Sequence, residues 1–286
     1  MPVLTIDHST TRCVSGAQRD DRRGRRIGKI MKVTICEMSD DPAAFELDWA
    51  KLASHVRSQE SELVLLPEMP FAAWFGTTKS FDTRVWQESV EAHDRWQSRL
   101  AELSATIVLG TRPVNRDGKR FNEAFCWTER AGYQAVHAKY YLPEEEGFFE
   151  ASWYDRGDGS FTPVQCGRAL VGFEICTEMW AFDHARLYGK QGVHIIATPR
   201  ATEVASVETW LVGGRATAIS SGAYSLSSNR SGLSRDGRVR FGGHGWIVGP
   251  DGNLLGRTSS LEPFVTIDID LTVAEEAKLT YPRYAL

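Results

Sequence analysis

Four short runs, LVLL (63–66), IVLG (107–110), ALVGF (169–173) and IIA (195–197), are apolar at every position. A strand with one face in water alternates apolar and polar residues, so runs that do not alternate have to be covered on both faces. Between them lie segments with the period of a helix. Phe45, Trp49, Leu52, Ala53 and Val56 follow Pro42 at helical spacing, and Val85, Trp86, Val90, Trp96 and Leu100 mark a second helix from about Asp82 to Leu103. Two more are expected from about Met179 to Lys190 and from Glu208 to Ser221. Sheets sandwiched by helices are the economical way to bury such strands, which predicts an α/β fold. Turn chemistry at RDGK (116–119) and at Asp251-Gly252 joins neighbouring strands into hairpins. No low-complexity linker or internal repeat interrupts residues 31–286, so they are expected to form a single domain.

Residues 1–30 read differently. They have no sustained apolar period and end in an arginine-rich run, and they lack the apolar centre of a secretory signal. Asp7, Asp20 and Asp21 argue against a transit peptide, so a mobile extension is expected, and Cys13 within it is given no role. The net charge of −4, with both signs interspersed, gives no electrostatic case for nucleic acid or an anionic membrane as partner. Five scattered cysteines without CxxC spacing suit a reduced, cytoplasmic protein, and no apolar run reaches transmembrane length. Neither paired histidine ligands nor a phosphate-binding glycine loop is present, so no metal or organic cofactor is expected.

Three strand ends carry reactive side chains. Glu68 closes LVLLPE, Lys139 follows a β-type run in HAKYYLP, and Cys176 ends VGFEIC. In open α/β sheets, sites assemble at the carboxyl ends of strands. A rim charge, a solvated lysine and a packed thiol would explain the three equally well one at a time, because free cysteine is among the most buried residue types.

Three stretches shift that balance. PEMPF, the K-x-x-L-P-x-x-x-x-x-x-E run from Lys139 to Glu150, and GFEICTEMW stand in this order along the chain. Together they resemble the signature stretches of the nitrilase (carbon–nitrogen hydrolase) superfamily, and the likeness extends from Met31 to Leu286 through GGRATA, SSNRSG, GHGWIVGPDGNLL and YPRYAL. The resemblance implies a four-layer αββα sandwich and pairing into a homodimer or higher homo-oligomer. It implies Glu68 as general base, Lys139 as catalytic lysine, Cys176 as nucleophile and Glu150 as the second glutamate beside the lysine.

These residue types match a covalent route, in which a thiolate attacks a carbonyl or nitrile carbon and splits one hard hydrolysis into two easier steps. A free thiol is mostly protonated at neutral pH, so Glu68, the Lys139 charge and a helix start after Cys176 are expected to help form the anion. The oxyanion is assigned to the Lys139 ammonium and the Thr177 backbone N–H. True nitrilases of the family usually follow the cysteine with Trp-Glu and carry a longer tail, whereas here Thr177-Glu178 follows and the chain stops at Leu286. That favours a small amide or N-carbamoyl substrate over a nitrile. Trp180, Phe149 and Arg200 are the candidates for substrate contact, and Trp74, Phe75, Phe148 and Trp153 fit either a pocket wall or the core. Two other readings stand beside this one: a true nitrilase, and a catalytically silent interaction or redox-sensing protein on the same fold.

Overall fold

The computed structural model describes residues 29–285, so the extension expected over residues 1–30, with Cys13, lies almost wholly outside the described residues. The folded body starts one residue earlier than expected, because Ile30 already pairs with Asp270.

Fifteen strands are described. In chain order they are β1 (Ile30–Ser39), β2 (Leu63–Leu65), β3 (Ile107–Arg116), β4 (Lys119–Thr128), β5 (Gly132–Ala138), β6 (Glu144–Glu145), β7 (Phe148–Phe149) and β8 (Val164–Cys166). They continue with β9 (Ala169–Phe173), β10 (Ile195–Arg200), β11 (Tyr224–Leu233), β12 (Arg240–Gly242), β13 (Trp246–Val248), β14 (Leu254–Arg257) and β15 (Phe264–Asp270). The α-helices are α1 (Pro42–Gln59), α2 (Thr83–Gln97), α3 (Phe182–Lys190), α4 (Val207–Ser221) and α5 (Leu271–Ala277).

Two sheets form. One runs β5-β4-β3-β2-β1 with β15 on the far side of β1, and the other holds β8, β9, β10 and β11 with β13 and β14. They meet where the last residues of β1 leave the first sheet and pair in parallel with β11, Glu37 opposite Asn229 and Ser39 opposite Ser231.

The period-2 pattern assigns each face. Val33, Ile35, Leu63, Leu65, Ile107 and Leu109 face Val171, Phe173, Ile195, Ala197 and Leu226 of the other sheet. Their alternating neighbours Cys36, Met38, Val64, Leu66 and Val108 face outward and receive Phe45, Trp49, Leu52 and Val56 of α1. Both faces are therefore apolar, which is why these strands show no alternation of polarity. On the second sheet, Ile196 meets Ala185 and Tyr188 of α3. The Tyr188 ring lies so close on β9 that a Cβ at Gly172 would stand 2.7 Å from it, so only glycine fits there. The result is helix, sheet, sheet, helix, the expected αββα sandwich.

Local signals set the helix limits. Asp41 accepts a hydrogen bond from the Ala43 N–H at 2.9 Å ahead of Pro42, a cap worth about 1 kcal/mol. Asp82 caps α2 in the same way, but that helix stops at Gln97, and Leu100–Leu103 form a separate 3₁₀ turn rather than its last turn. The segment after Cys176 departs further from expectation. Cys176–Trp180 is a single 3₁₀ turn and the α-helix begins only at Phe182.

Candidate active site

Glu68, Lys139 and Cys176 follow β2, β5 and β9 by one to three residues, and these strands share a direction, so the three positions arrive at one edge of the sandwich. The loop bearing Glu68 is held by backbone. Its N–H donates to the Arg200 carbonyl at 3.2 Å, and its own carbonyl accepts from Arg230 Nε at 2.9 Å. The same buried guanidinium donates to the carbonyls of Met69 and Ala72, fixing the loop at three points, and is itself paired with Asp40 after β1. Lys139 is fixed through its N–H to the Asn122 carbonyl and its carbonyl to the Gly157 N–H, both at 2.9 Å.

The Lys139 ammonium lies between two carboxylates. It donates to Glu68 Oε1 at 2.8 Å and reaches Glu150 Oε1 and Oε2 at 2.8 and 2.6 Å. All three side chains are buried. Asn122 Nδ2 donates to the same Glu68 oxygen at 2.7 Å, and the Tyr154 hydroxyl donates to Glu150 Oε2. Glu68 Oε2 is different: it is buried and has no hydrogen-bond partner.

Cys176 has φ of +49°, in a region that non-glycine residues enter at a cost of order 1 kcal/mol. Glu178 holds the strained turn. Its carboxylate accepts from the Ile175 N–H at 2.8 Å, the Tyr140 N–H at 2.7 Å and His137 Nε2 at 2.9 Å. One acid thus ties the Cys176 turn to the segment that carries Lys139. His137 is the partner of this acid, and its ring lies tilted against Phe161 at 4.7 Å between centroids.

Charge and burial oppose each other throughout. Burial would lower the Lys139 pKa, but Glu150 and Glu68 outweigh it and hold the ammonium charged well above the usual lysine range. Burial, then the Glu68 charge, pushes the Cys176 thiol up against the Lys139 charge and the Ala201 N–H. The resting thiol is therefore neutral, and the expected aid from a helix start is missing, since a short 3₁₀ turn has little macrodipole. Burial raises Glu150 to about 7, opposed by Lys139.

Cys176 is 4% exposed, but it lines a pocket of about 220 Å³ with Thr177, Glu150, Phe148, Trp180 and Trp210 among its walls. Of the proposed contact residues, Trp180 lines this pocket. Phe149 does not, because the β6–β7 hairpin turns Phe148 inward instead. Arg200 does not line it either. It is fully buried at the end of β10, where it donates to Ser227, Thr202 and the His244 carbonyl and lies 4.1 Å over Trp246. Trp74, Phe75 and Trp153 do not line it; they belong to a core cluster that reaches the pocket through Phe148 and Ala201.

The comparisons with known proteins accord with this geometry. The family model for carbon-nitrogen hydrolases matches residues 32–279. The chain belongs to the carbon–nitrogen hydrolase family. It is thereby a hydrolase of the nitrilase superfamily, and the relatives it matches lie on the amidase branch. The omega-amidase of Xenopus tropicalis is 25% identical to it over 238 residues, spanning 81% of this chain and 85% of that protein. The human omega-amidase is 25% identical over 235 residues, spanning 79% and 83%. Among solved structures, a carbon–nitrogen hydrolase from Helicobacter pylori superposes with a TM-score of 0.80 at 20% identity, covering 90% of this chain and 94% of that one. An amidase from Nesterenkonia sp. superposes with a TM-score of 0.71 at 17% identity, covering 90% and 96%.

Sequence reasoning missed Asn122, Tyr154, Glu178 and the Ala201 N–H. Only Asn122 carried a signal, an amide standing in the apolar strand FNEAFC.

Proposed function

We propose that the protein hydrolyses a small amide through an acyl-cysteine intermediate, with Cys176 as nucleophile, Glu68 as base, and Lys139 and Thr177 as oxyanion donors. One observation carries the reading: Glu68 spends Oε1 on Lys139 and Asn122 and keeps Oε2 free, beside a neutral thiol whose charge it influences more than any other residue. A carboxylate oxygen without a partner in a buried site is a proton acceptor in waiting.

The amide carbonyl sits in the pocket against Cys176. As Sγ attacks the carbon, its proton moves to Glu68, so no free thiolate has to persist in a site that disfavours it. Negative charge grows on the carbonyl oxygen and is met by the Lys139 ammonium and the Thr177 N–H. The tetrahedral species collapses as Glu68 returns the proton to nitrogen, ammonia or an amine leaves, and an acyl thioester remains. Water, deprotonated by Glu68, then releases the acid and restores the thiol. Glu150 keeps Lys139 charged and placed. The relatives named omega-amidases favour an amide over a nitrile as substrate. A dimer is supported by the apolar residues exposed along α3 and α4, Phe182, Leu187, Val212 and Ile219.

Intact-mass spectrometry after mixing with a panel of amides tests the mechanism. The wild type gains the mass of the acyl group, and Cys176→Ala gains nothing and releases no ammonia while keeping its unfolding temperature. Glu68→Gln lowers kcat by about 10²–10⁴. Ammonia release by Cys176→Ala would end the reading.

A further inference from the structure

We infer that the preferred substrate is a short amide whose far end carries a positive charge, an inference that rests on the amidase reading above. Beyond the reacting end, the walls include two carboxylates, Glu145 and Glu203, with the aromatic rings of Phe148, Trp180 and Trp210. Among the described residues lining the pocket there is no lysine, arginine or histidine.

Both carboxylates are exposed, and no cationic partner is recorded for either among the described residues. None of the following cations on the neighbouring segments lines the pocket. Lys79 reaches Glu144, Arg257 pairs with Glu208, and Arg200 is buried on Ser227, Thr202 and the His244 carbonyl. The Glu203 backbone is anchored by its bridge to Phe241, so its side chain starts from a fixed point at the rim. The Trp180 and Trp210 rings, 5.0 Å apart, form one wall, and the face of an indole attracts cations.

Size limits the substrate further. About 220 Å³ lies below the roughly 300–1,000 Å³ of pockets that take drug-sized ligands, so only a few carbons fit between the amide and the rim. An ammonium or guanidinium at that distance meets two carboxylates and two indoles. A carboxylate there meets two like charges and no donor cation. An exposed ion pair is worth up to about fivefold in affinity, and a cation on an indole face adds a similar factor, so a total preference of about tenfold or more is expected.

The test compares ammonia release by the full chain at pH 7 from pentanamide, 5-aminopentanamide and 5-amino-5-oxopentanoate, which share a chain length and differ in terminal charge. The ammonium compound is expected to exceed the neutral one by about tenfold in kcat/KM, mostly through KM, and the carboxylate compound to be the poorest. Added salt narrows the gap. Glu145→Gln and Glu203→Gln each lower the ratio of ammonium to neutral substrate by about threefold, and Glu203→Lys shifts preference toward the carboxylate compound. Hydrolysis of pentanamide with no gain for 5-aminopentanamide, or a preference that Glu203→Lys leaves unmoved, overturns this inference and leaves the amidase reading intact. No ammonia and no acyl adduct from any amide would take both down.

Discussion

Two buried acidic clusters flank Cys176, and they differ in how complete they are. In the first, Glu68 and Glu150 close on the Lys139 ammonium, Glu150 borders the pocket, and Glu68 Oε2 is left without a partner. In the second, both Glu178 oxygens are used, by His137 and by the N–H groups of Ile175 and Tyr140, and neither Glu178 nor His137 lines the pocket. A buried polar group left unsatisfied costs stability, so one that persists in a cluster whose other carboxylate borders an opening points to chemistry. A completed set away from the opening points to positioning. The same residue types therefore do different work according to where their last hydrogen bond goes.

Removing the centre of the first cluster should have the largest effect. Lys139→Met loses the proposed oxyanion donor and leaves Glu68 and Glu150 without the cation between them, so kcat/KM is expected to fall about 10⁴-fold and stability by about 3–5 kcal/mol. Burial raises the Glu150 pKa even with the ammonium in place, so the stability loss should be greatest at alkaline pH and shrink as falling pH protonates the carboxyls. Urea unfolding at pH 5.5 and 8.5 measures this. Adding Glu150→Gln should restore stability without restoring turnover. An unchanged midpoint for Lys139→Met at pH 8.5 would break the distinction, since the ammonium would not then be what holds the carboxylates together.

The second cluster should respond less, and with the opposite pH trend. Burial would lower the His137 pKa, but the Glu178 carboxylate outweighs it and the net shift is upward from 6.5. A raised folded pKa means that the pair's contribution is fully present below about 6.5 and fades as pH rises through the folded value. His137→Leu should therefore cost most in acid, by about 3 kcal/mol or less, because Glu178 keeps two backbone donors. Turnover should fall about 10–100-fold through a displaced Cys176 turn. A kcat as low as that of Cys176→Ala would move this cluster into the chemistry.

Much of this arrangement is legible in the sequence because it depends on short-range order. Each reactive residue stands at a strand end, the strands announce themselves by apolar runs, and the intervals between them are filled by capped helices. Asn122 was legible only as an unexplained amide, since its contact with Glu68 arises when β4 meets the loop after β2 across the fold, and Tyr154 was not legible, since its bond to Glu150 four residues back depends on the turn that Glu150–Ser152 adopts. Arg200 reads as a candidate for substrate contact because arginine is rarely buried, yet hydroxyls, a carbonyl and an indole face surround it. Phe149 and Phe148 exchange places for a different reason. A two-residue strand has no pattern long enough to reveal its inner face, and a slip of one residue reverses it.

A third acid stands between the clusters and sharpens the contrast. Glu174 is fully buried, and neither carboxyl oxygen has a hydrogen-bond partner. Burial, then the Glu178 charge, pushes its pKa well above the carboxylate range. It lies two residues beyond Gly172, on the side of β9 that meets the helix layer, and it does not line the pocket with Cys176. Incompleteness without an opening should be a pure cost. Glu174→Met, which removes both orphaned oxygens at similar volume, is expected to stabilise the protein by about 1–2 kcal/mol, or about 2–4 °C in Tm. Because the folded pKa is raised, the wild type loses stability as pH climbs above the unfolded value near 4.5, and the variant has nothing there to titrate. The gap in Tm should thus widen from pH 5 to pH 9. A variant less stable than the wild type at both values would mean that Glu174 belongs to the positioning set around Glu178, and that an unpartnered oxygen far from the pocket can still be part of the machinery.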